Sequence, residues 1–214
     1  MRVKFDEQLE KLNVMLIDMG ALCEEAITYA VKALETGSDE MREKTFSTDE
    51  VIDEREREIE TACLKLILQQ QPVAKDLRQI SAALKMITDM ERIGDHAADI
   101  SEMTILMAGT PYIRNIEHLQ TMAKEAMVML VKSIEAYVEK DLAKAEKVIE
   151  SDDIIDDLFD KIKAELIDAI HQNPDNGEQA ADLLMVSKYL ERIGDHATNI
   201  AEWVIFSITG NHPG

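Results

Sequence analysis

The chain is poor in glycine, proline and aromatic residues: of 214 residues, 8 are glycine and 4 are proline, and aromatic side chains make up 4%. Proteins built from sheets need many turn residues and favour aromatic side chains in their strands, so this composition favours long helices. Hydrophobic residues still account for 46% of the chain. That share is too high for a disordered chain and is enough to build a buried core. The composition therefore predicts an all-α protein.

Long apolar runs are also missing from the sequence. No run approaches the roughly 20 residues that a membrane-spanning helix needs, and the N-terminus, Met-Arg-Val-Lys-Phe-Asp-Glu, lacks the apolar segment of a signal peptide. We therefore expect a cytoplasmic protein without a membrane span. The two cysteines, Cys23 and Cys63, lie among apolar residues without CxxC spacing. This setting predicts buried free thiols in a reducing compartment.

Basic residues are few relative to acidic ones, with 23 Lys and Arg against 43 Asp and Glu, which gives a formal net charge of −20. A surface of this sign repels the phosphate backbone of nucleic acids, so we expect no binding to nucleic acid. The same surface suits cations or a basic protein surface. The net charge therefore favours metal cations and basic protein surfaces as binding partners.

The heptapeptide Glu-Arg-Ile-Gly-Asp-His-Ala occurs twice, at residues 91–97 and again at 191–197. Seven identical residues at a separation of 100 indicate an internal duplication, and we call these copies the first and second signatures. A second match relates residues 48–54 to residues 151–157, at a separation of 103. Each half of the chain therefore carries one acidic motif within a signature and a companion acidic motif upstream of it.

Helical periodicity and breaks at glycine and proline divide each half into three segments. The expected helices cover about 5–36, 39–71 and 75–108 in the first half, and about 112–139, 141–171 and 178–208 in the second. The sequence therefore predicts a tandem pair of three-helix bundles, with one domain over 1–110 and another over 111–214. We expect four isoleucines of the signature helices in the core, namely Ile93, Ile100, Ile193 and Ile200.

Acidic residues in these motifs recur every four positions, which aligns them in a stripe along a helix. Like charges at this spacing destabilise a helix by about 0.2–0.5 kcal/mol per pair. Oxygen ligands brought together from two adjacent helices suit divalent or trivalent metal ions. The predicted ligands are Asp49, Asp53, Glu91, Asp95 and Asp99 in the first half, and Asp152, Asp156, Glu191, Asp195 and Asn199 in the second. Since Asn199 stands where the first half has Asp99, we expect weaker binding in the second half.

Each of these residues also has a purely structural interpretation. The acids could form a solvated face that pairs with Arg92, Arg192 and nearby lysines, and the two arginines more readily form salt bridges than bind a ligand. The signature histidines, His96 and His196, are expected to hydrogen-bond to a neighbouring helix rather than bind metal. A glycine inside each signature helix costs about 1 kcal/mol, and the close approach of another helix is its usual explanation.

Three classes of function fit such a chain. A non-enzymatic regulator is favoured, because the sequence has no nucleophile–base pair, no glycine-rich phosphate loop and no helix-turn-helix signature. A di-iron enzyme of the ferritin-like class needs paired Glu-x-x-His motifs, whereas Asp168–His171 is an unpaired acid-x-x-His. The third class is a structural helical scaffold, which would tolerate loss of all the stripe acids.

The doubled signature and its companion acidic motifs resemble the PhoU family of phosphate-transport regulators over essentially the whole chain. The resemblance implies a pair of three-helix bundles with multinuclear metal clusters on their surfaces, formed by iron or by other ions such as Mn, Zn or Mg. It implies a cytoplasmic negative regulator of the phosphate regulon that associates peripherally with membrane complexes. Its partners would be the ATPase subunit of the phosphate ABC transporter and a sensor histidine kinase. We also expect a homodimer.

Overall fold

The computed structural model describes residues 2–70, 72–107 and 117–213, and side chains are described from Phe5 onward, Gln70 excepted. Within these ranges the chain forms α-helices and no strand, which confirms the all-α prediction. The helices are α1 (Arg2–Thr36), α2 (Asp39–Gln70), α3 (Ala74–Leu106), α4 (Glu117–Glu139), α5 (Leu142–Glu150), α6 (Asp152–Gln172) and α7 (Gly177–Thr209). The predicted boundary between 1–110 and 111–214 lies outside the described residues.

The first half is a three-helix bundle in which α1, α2 and α3 all contact one another. Gly37 ends α1 with a φ of 67°, in the left-handed region that glycine adopts without strain, and its N–H donates to the Ala33 carbonyl at 2.8 Å. The Ser38 hydroxyl then accepts a hydrogen bond from the Met41 N–H at 3.4 Å, which caps α2. The predicted break between the first two helices is therefore confirmed.

The second half contains one more helix than the sequence predicts, because the expected helix over 141–171 is broken at Ser151 into α5 and α6. The Ser151 hydroxyl donates to the Lys147 carbonyl at 2.8 Å, a bond that bends helices. The Ile154 N–H donates to the Ser151 carbonyl at 3.1 Å, which is the tighter 3₁₀ pattern. The prediction of an uninterrupted helix was thus wrong at a single residue. A 3₁₀ turn, Pro174–Asn176, precedes α7.

The two bundles contact each other through α1 with α4 and α3 with α7, so the buried apolar side chains form one contiguous cluster. All four isoleucines expected in the core are fully buried. Cys23 and Cys63 are buried free thiols, as predicted. Gly20 lets α1 lie close to α4, since a Cβ at this position would lie 2.3 Å from the Ile134 Cδ1 atom. The signature helices α3 and α7 therefore form the centre of the molecule.

Helix α4 ends in a Schellman motif whose left-handed residue is Lys140, with a φ of 56°. The Asp141 N–H donates to the Ala136 carbonyl at 3.0 Å, and the Lys140 N–H donates to the Tyr137 carbonyl at 3.3 Å. Glycine is the usual residue at this position, because a side chain in the left-handed region costs roughly 1–2 kcal/mol. Lys140 is therefore a strained position in the backbone.

Replacing Lys140 by glycine should raise the free energy of unfolding by about 1 kcal/mol, because glycine adopts this φ without the Cβ clash. The matched control is Lys132→Gly, an exposed lysine in the interior of α4, where glycine should lower stability by about 1 kcal/mol. Urea denaturation of the three proteins measures both effects. Equal destabilisation by the two substitutions would contradict the prediction.

Candidate metal site

The five residues predicted as ligands in the first half, Asp49 and Asp53 on α2 with Glu91, Asp95 and Asp99 on α3, form what we call the first acidic cluster. The pKa of Asp49 is raised to about 6, first by its burial and then by the charges of Asp95, Asp53, Glu91 and Asp99. All five side chains therefore share one electrostatic environment. The structure thus brings together the predicted ligands of the first half, which the sequence places on two separate helices.

Gly94 explains how α2 comes so close to α3 at this cluster. A Cβ at position 94 would lie 2.7 Å from Asp49 Oδ1 and 3.0 Å from Ile52 Cδ1, so any other residue here would displace the Asp49 carboxylate and crowd Ile52. The same Oδ1 atom of Asp49 is buried and has no hydrogen-bond partner among the described residues. An unsatisfied buried polar atom costs about 1–3 kcal/mol, more when it is charged. A bound cation would satisfy this oxygen.

Positive charge around the first acidic cluster comes from Arg92. Its Nη1 atom lies 2.8 Å from Asp95 Oδ2, and its Nε atom lies 3.5 Å from Glu91 Oε2. The arginine side chain is 55% exposed, so these contacts contribute little. The pKa of Glu91 is still raised, chiefly by burial and by the charge of Asp95. The cluster thus remains undercompensated.

The second half gathers Asp152 and Asp156 on α6 with Glu191 and Asp195 on α7; these four and Asn199 are the second acidic cluster. The pKa of Asp152 is raised by burial and by the charges of Asp195 and Asp156. Burial and the charge of Glu191 raise the pKa of Asp195 as well. The four predicted carboxylates are therefore neighbours.

The second cluster differs from the first in two of its contacts. Glu191 forms an ion pair with Lys188 on the preceding turn of α7. A Cβ at Gly194 would meet Ile155 side-chain carbons at 3.3 Å, whereas the equivalent glycine of the first signature faces a carboxylate oxygen. Both signature glycines permit close helix approach, as the sequence predicts. Only the first of them brings a carboxylate against the helix backbone.

The amide of Asn199 points towards the first half of the molecule. Its Nδ2 atom donates to Asp89 Oδ1 on α3 at 3.1 Å, and the same oxygen lies 2.8 Å from His196 Nδ1. Its counterpart Asp99 lies 3.2 Å from His96 Nδ1 on its own helix. The expected bond of a signature histidine to a neighbouring helix is thus present for His196, while His96 has its partner on α3. Metal ligation by Asn199 stays a prediction.

Polar and aromatic rings line the interface between α3 and α7. The centroids of the His96 and His196 rings lie 5.5 Å apart, and the His96 ring stacks on Tyr189 at 5.7 Å. Burial lowers the pKa of His96. Asp89 lies in this interface, and the acidic motifs of the sequence do not include it. The sequence does contain a signal for this position: Asp89 and Tyr189 are equivalent in the duplication, and the two residues differ in charge and size.

The chemistry of the first acidic cluster fits a hard cation. Its donors are all carboxylate oxygens, which are the ligands that Mg²⁺, Ca²⁺ and Mn²⁺ prefer, and Asp49 contributes a buried oxygen without a partner. In the part of the chain that the structure describes, no three Asp, Glu, His or Cys side chains converge closely enough to ligate one ion. Metal binding therefore requires rotation of the exposed members of the cluster.

Comparison with known proteins relates this chain to one family. The PhoU domain matches it twice, over residues 16–104 and 119–204, which are the two halves of the duplication. The chain belongs to the PhoU family. Among PhoU homologues named as phosphate-specific transport system accessory proteins, that of Clostridium acetobutylicum is 38% identical over 96% of this chain and 94% of its own length. The Rhizobium meliloti homologue is 33% identical over 98% of this chain and 89% of its own length.

Solved PhoU structures share the fold. PhoU from Pseudomonas aeruginosa superposes with a TM-score of 0.90 at 29% identity, covering 97% of this chain and all of that one. The phosphate transport system regulatory protein PhoU from Streptococcus pneumoniae gives 0.89 at 26% identity, covering 98% and 99%. The predicted tandem pair of PhoU-like bundles is confirmed. Among the described helices, none has the length and apolarity needed to cross a membrane.

The raised pKa of Asp49 predicts how stability depends on pH in chelator-treated protein. Because this carboxyl binds its proton more tightly in the folded chain, its ionisation lowers stability as the pH rises from its ordinary pKa of 3.8 to its folded-state pKa of about 6. Asp49→Asn should therefore raise the free energy of unfolding by about 1 kcal/mol at pH 8, after allowance for solvent screening. This gain should fade as the pH falls from 6 towards 4.

The control for this prediction is Glu50→Gln, which neutralises an exposed carboxylate next to Asp49 on α2. Urea denaturation of the parent and both variants between pH 8 and pH 4.5 measures the effect. A gain for Asp49→Asn that is equal at every pH, or that is matched by Glu50→Gln, would contradict the electrostatic explanation.

Proposed function

We propose that this chain is a non-enzymatic negative regulator of the phosphate regulon and of phosphate uptake. In this role it couples the phosphate ABC transporter, through the ATPase subunit, to a sensor histidine kinase. The observation that carries the proposal is the near full-length similarity to proteins named phosphate-specific transport system accessory protein PhoU homologue. The family match covers both repeats, over residues 16–104 and 119–204.

The charge of the chain supports a mode of contact with these partners. With a net charge of −20, a cytoplasmic regulator that associates peripherally with membrane complexes would meet basic surfaces on its partners. Electrostatic attraction of this kind speeds association and is screened by salt over a Debye length of about 8–10 Å. We include in this proposal that the chain acts as a homodimer.

The metal chemistry is the second part of the proposed function. The first acidic cluster would bind divalent or trivalent ions, as iron or as Mn, Zn or Mg, and the second acidic cluster would bind them more weakly. Support comes from the raised pKa of Asp49 and from its buried oxygen without a partner. The weaker second site is inferred from Asn199 and from the ion pair between Glu191 and Lys188. Bound metal would supply positive charge that the helices lack.

Deletion of the gene for this chain should raise expression of phosphate-regulon genes in cells grown with abundant phosphate, and the parent gene should restore repression. Purified chain should bind the transporter ATPase and the kinase, with binding that weakens as salt rises from 50 to 500 mM. Reporter expression and titration of the two partners measure this. Unchanged expression after deletion would contradict the regulatory function, and salt-independent binding would contradict the electrostatic contact.

Removal of a signature acid should release metal from one half only. Asp95→Ala should lose the metal of the first cluster and Asp195→Ala that of the second, while Asp157→Ala, an exposed acid on α6, should lose none. Metal at 100 times its Kd should stabilise the parent by about 2.7 kcal/mol. Elemental analysis and thermal unfolding with and without chelator measure both effects. A parent that carries no metal after growth in iron- and manganese-replete medium would identify the stripes as solvated faces.

The two rival functions, a structural scaffold and a di-iron enzyme, predict different results when the Glu91 and Asp95 carboxylates are removed together. A structural scaffold would restore repression even when the Glu91 and Asp95 carboxylates are both removed. A di-iron enzyme would consume oxygen or a reductant when loaded with iron, and that turnover would disappear in the same variants. A regulator that needs its metal instead loses repression without ever showing turnover.

A further inference from the structure

A small cavity lies at the end of the molecule where α3 begins, α4 turns into α5, and α7 ends. Its volume is about 120 Å³, and its walls are formed by Lys75, Gln79, Lys140, Ser207 and Ile208. Since one water molecule occupies about 30 Å³ in the liquid, this space is large enough for a tetrahedral oxyanion. Three separate segments of the chain build it, so it exists only in the folded protein.

Uncompensated positive charge distinguishes this cavity in a strongly acidic protein. Neither Lys75 nor Lys140 forms an ion pair with any residue that the structure describes. The acids that flank Lys140 in sequence are engaged elsewhere: Glu139 binds the Lys144 ammonium at 2.7 Å, and the Asp141 side chain accepts from the Lys144 N–H at 3.0 Å. Among the residues that the structure describes, no carboxylate lines the cavity. Asp76 follows Lys75 in the first turn of α3 and is buried outside this lining, so an anion in the cavity would meet two cations directly.

The surrounding sequence extends this positive region. Residues 61–75 contain two lysines and no acid, although nearly a third of the whole chain is charged and most of that charge is acidic. Arg78 lies at the same end, with its Nε atom 3.6 Å from where a Cβ of Gly210 would be. Helix α3 begins beside the cavity without a side-chain cap, and Asp76 in its first turn offsets part of the positive end of the helix dipole.

Polar groups in the wall supply further recognition. Gln79 is only 6% exposed, and its backbone carbonyl accepts from the buried Tyr137 hydroxyl at 3.0 Å, which fixes this turn of α3. Gln79 lines the cavity, and a glutamine carboxamide has N–H groups to donate. The Ser207 hydroxyl donates to the Val204 carbonyl at 2.7 Å, so its hydrogen is already used and does not contact the anion. Two ammonium groups and one carboxamide form a site suited to anionic oxygens.

We propose that this cavity binds a small tetrahedral oxyanion of the phosphate class, either inorganic phosphate or the phosphate headgroup of an anionic lipid. Both present the same charged oxygens to the two ammonium groups. The site is separate from both acidic clusters and uses none of their residues. This inference rests on the proposed function and deepens it, since the site would give a phosphate regulator a direct contact with phosphate. Its test measures only the binding of phosphate to the purified chain. Failure of this site would leave the regulatory proposal untouched, because that one is tested by gene deletion.

The test uses the full chain treated with chelator, so that phosphate cannot bind through metal at the acidic clusters. Isothermal titration with inorganic phosphate, at constant ionic strength set with chloride, should give one site in the parent. Lys75→Gln and Lys140→Gly should each weaken binding about tenfold or more, since each removes a charge-assisted hydrogen bond. The Lys140→Gly variant relieves backbone strain, so its loss of binding would not reflect unfolding.

The control is Lys65→Gln, which removes a lysine that lies at the same end and does not line the cavity. It should leave the affinity unchanged. Equal weakening by Lys65→Gln would show attraction to general positive charge and would overturn the site. No saturable heat with phosphate, together with no binding to vesicles, would also overturn it.

A second arm separates the two sources of the oxyanion. Flotation with vesicles that contain phosphatidic acid, compared with pure phosphatidylcholine, tests the lipid headgroup. Vesicle binding that is lost in both cavity variants, without binding of free phosphate, would assign the site to a headgroup. Binding of free phosphate that is lost in the same variants assigns it to inorganic phosphate. Either result supports the cavity as the site.

Discussion

The close approach of α2 to α3 at Gly94 is the constraint on which the proposed metal chemistry depends. Without a side chain at that position, Asp49 Oδ1 lies against the backbone of α3, 2.7 Å from where a Cβ would be. The approach removes this oxygen from water and places it among the other four acids of the first acidic cluster. A single missing Cβ thus converts an exposed acidic stripe into a partly buried anionic site.

The electrostatics of that site favour a cation over the alternatives. Two unit charges 4 Å apart repel by about 4 kcal/mol at an effective dielectric constant near 20, and solvent exposure reduces this figure. Burial, and after it the neighbouring charges, raise the pKa of Asp49 to about 6, so protonation relieves part of the repulsion. Arg92 relieves another part from the solvent side. Both effects are partial. Protonation of Asp49 is lost above neutral pH, and the ion pairs of Arg92 leave the buried Asp49 oxygen without a partner.

Much of this arrangement follows from the sequence alone. The repeated signature indicates duplicated bundles, and helical spacing identifies Ile93 and Ile193 as core residues, because periodicity reports which side of a helix is apolar. Periodicity does not report which helix packs against which. The pairing of Asp89 with His196 arises from the contact between α3 and α7, and the cavity at Lys140 arises where three distant segments meet. The break at Ser151 is accompanied by a hydrogen bond from its hydroxyl to the Lys147 carbonyl, and it leaves the apolar pattern unchanged.

Anomalous diffraction from crystals of the chain grown with manganese or iron would show whether the first acidic cluster binds metal. We expect an anomalous peak within about 2.0–2.6 Å of carboxylate oxygens of this cluster, including an Asp49 oxygen. We expect a weaker peak, or none, at the second acidic cluster. Full occupancy of the second cluster with an empty first cluster would contradict the proposed order of affinity. Crystals in which both clusters hold only water at saturating metal would contradict metal binding itself.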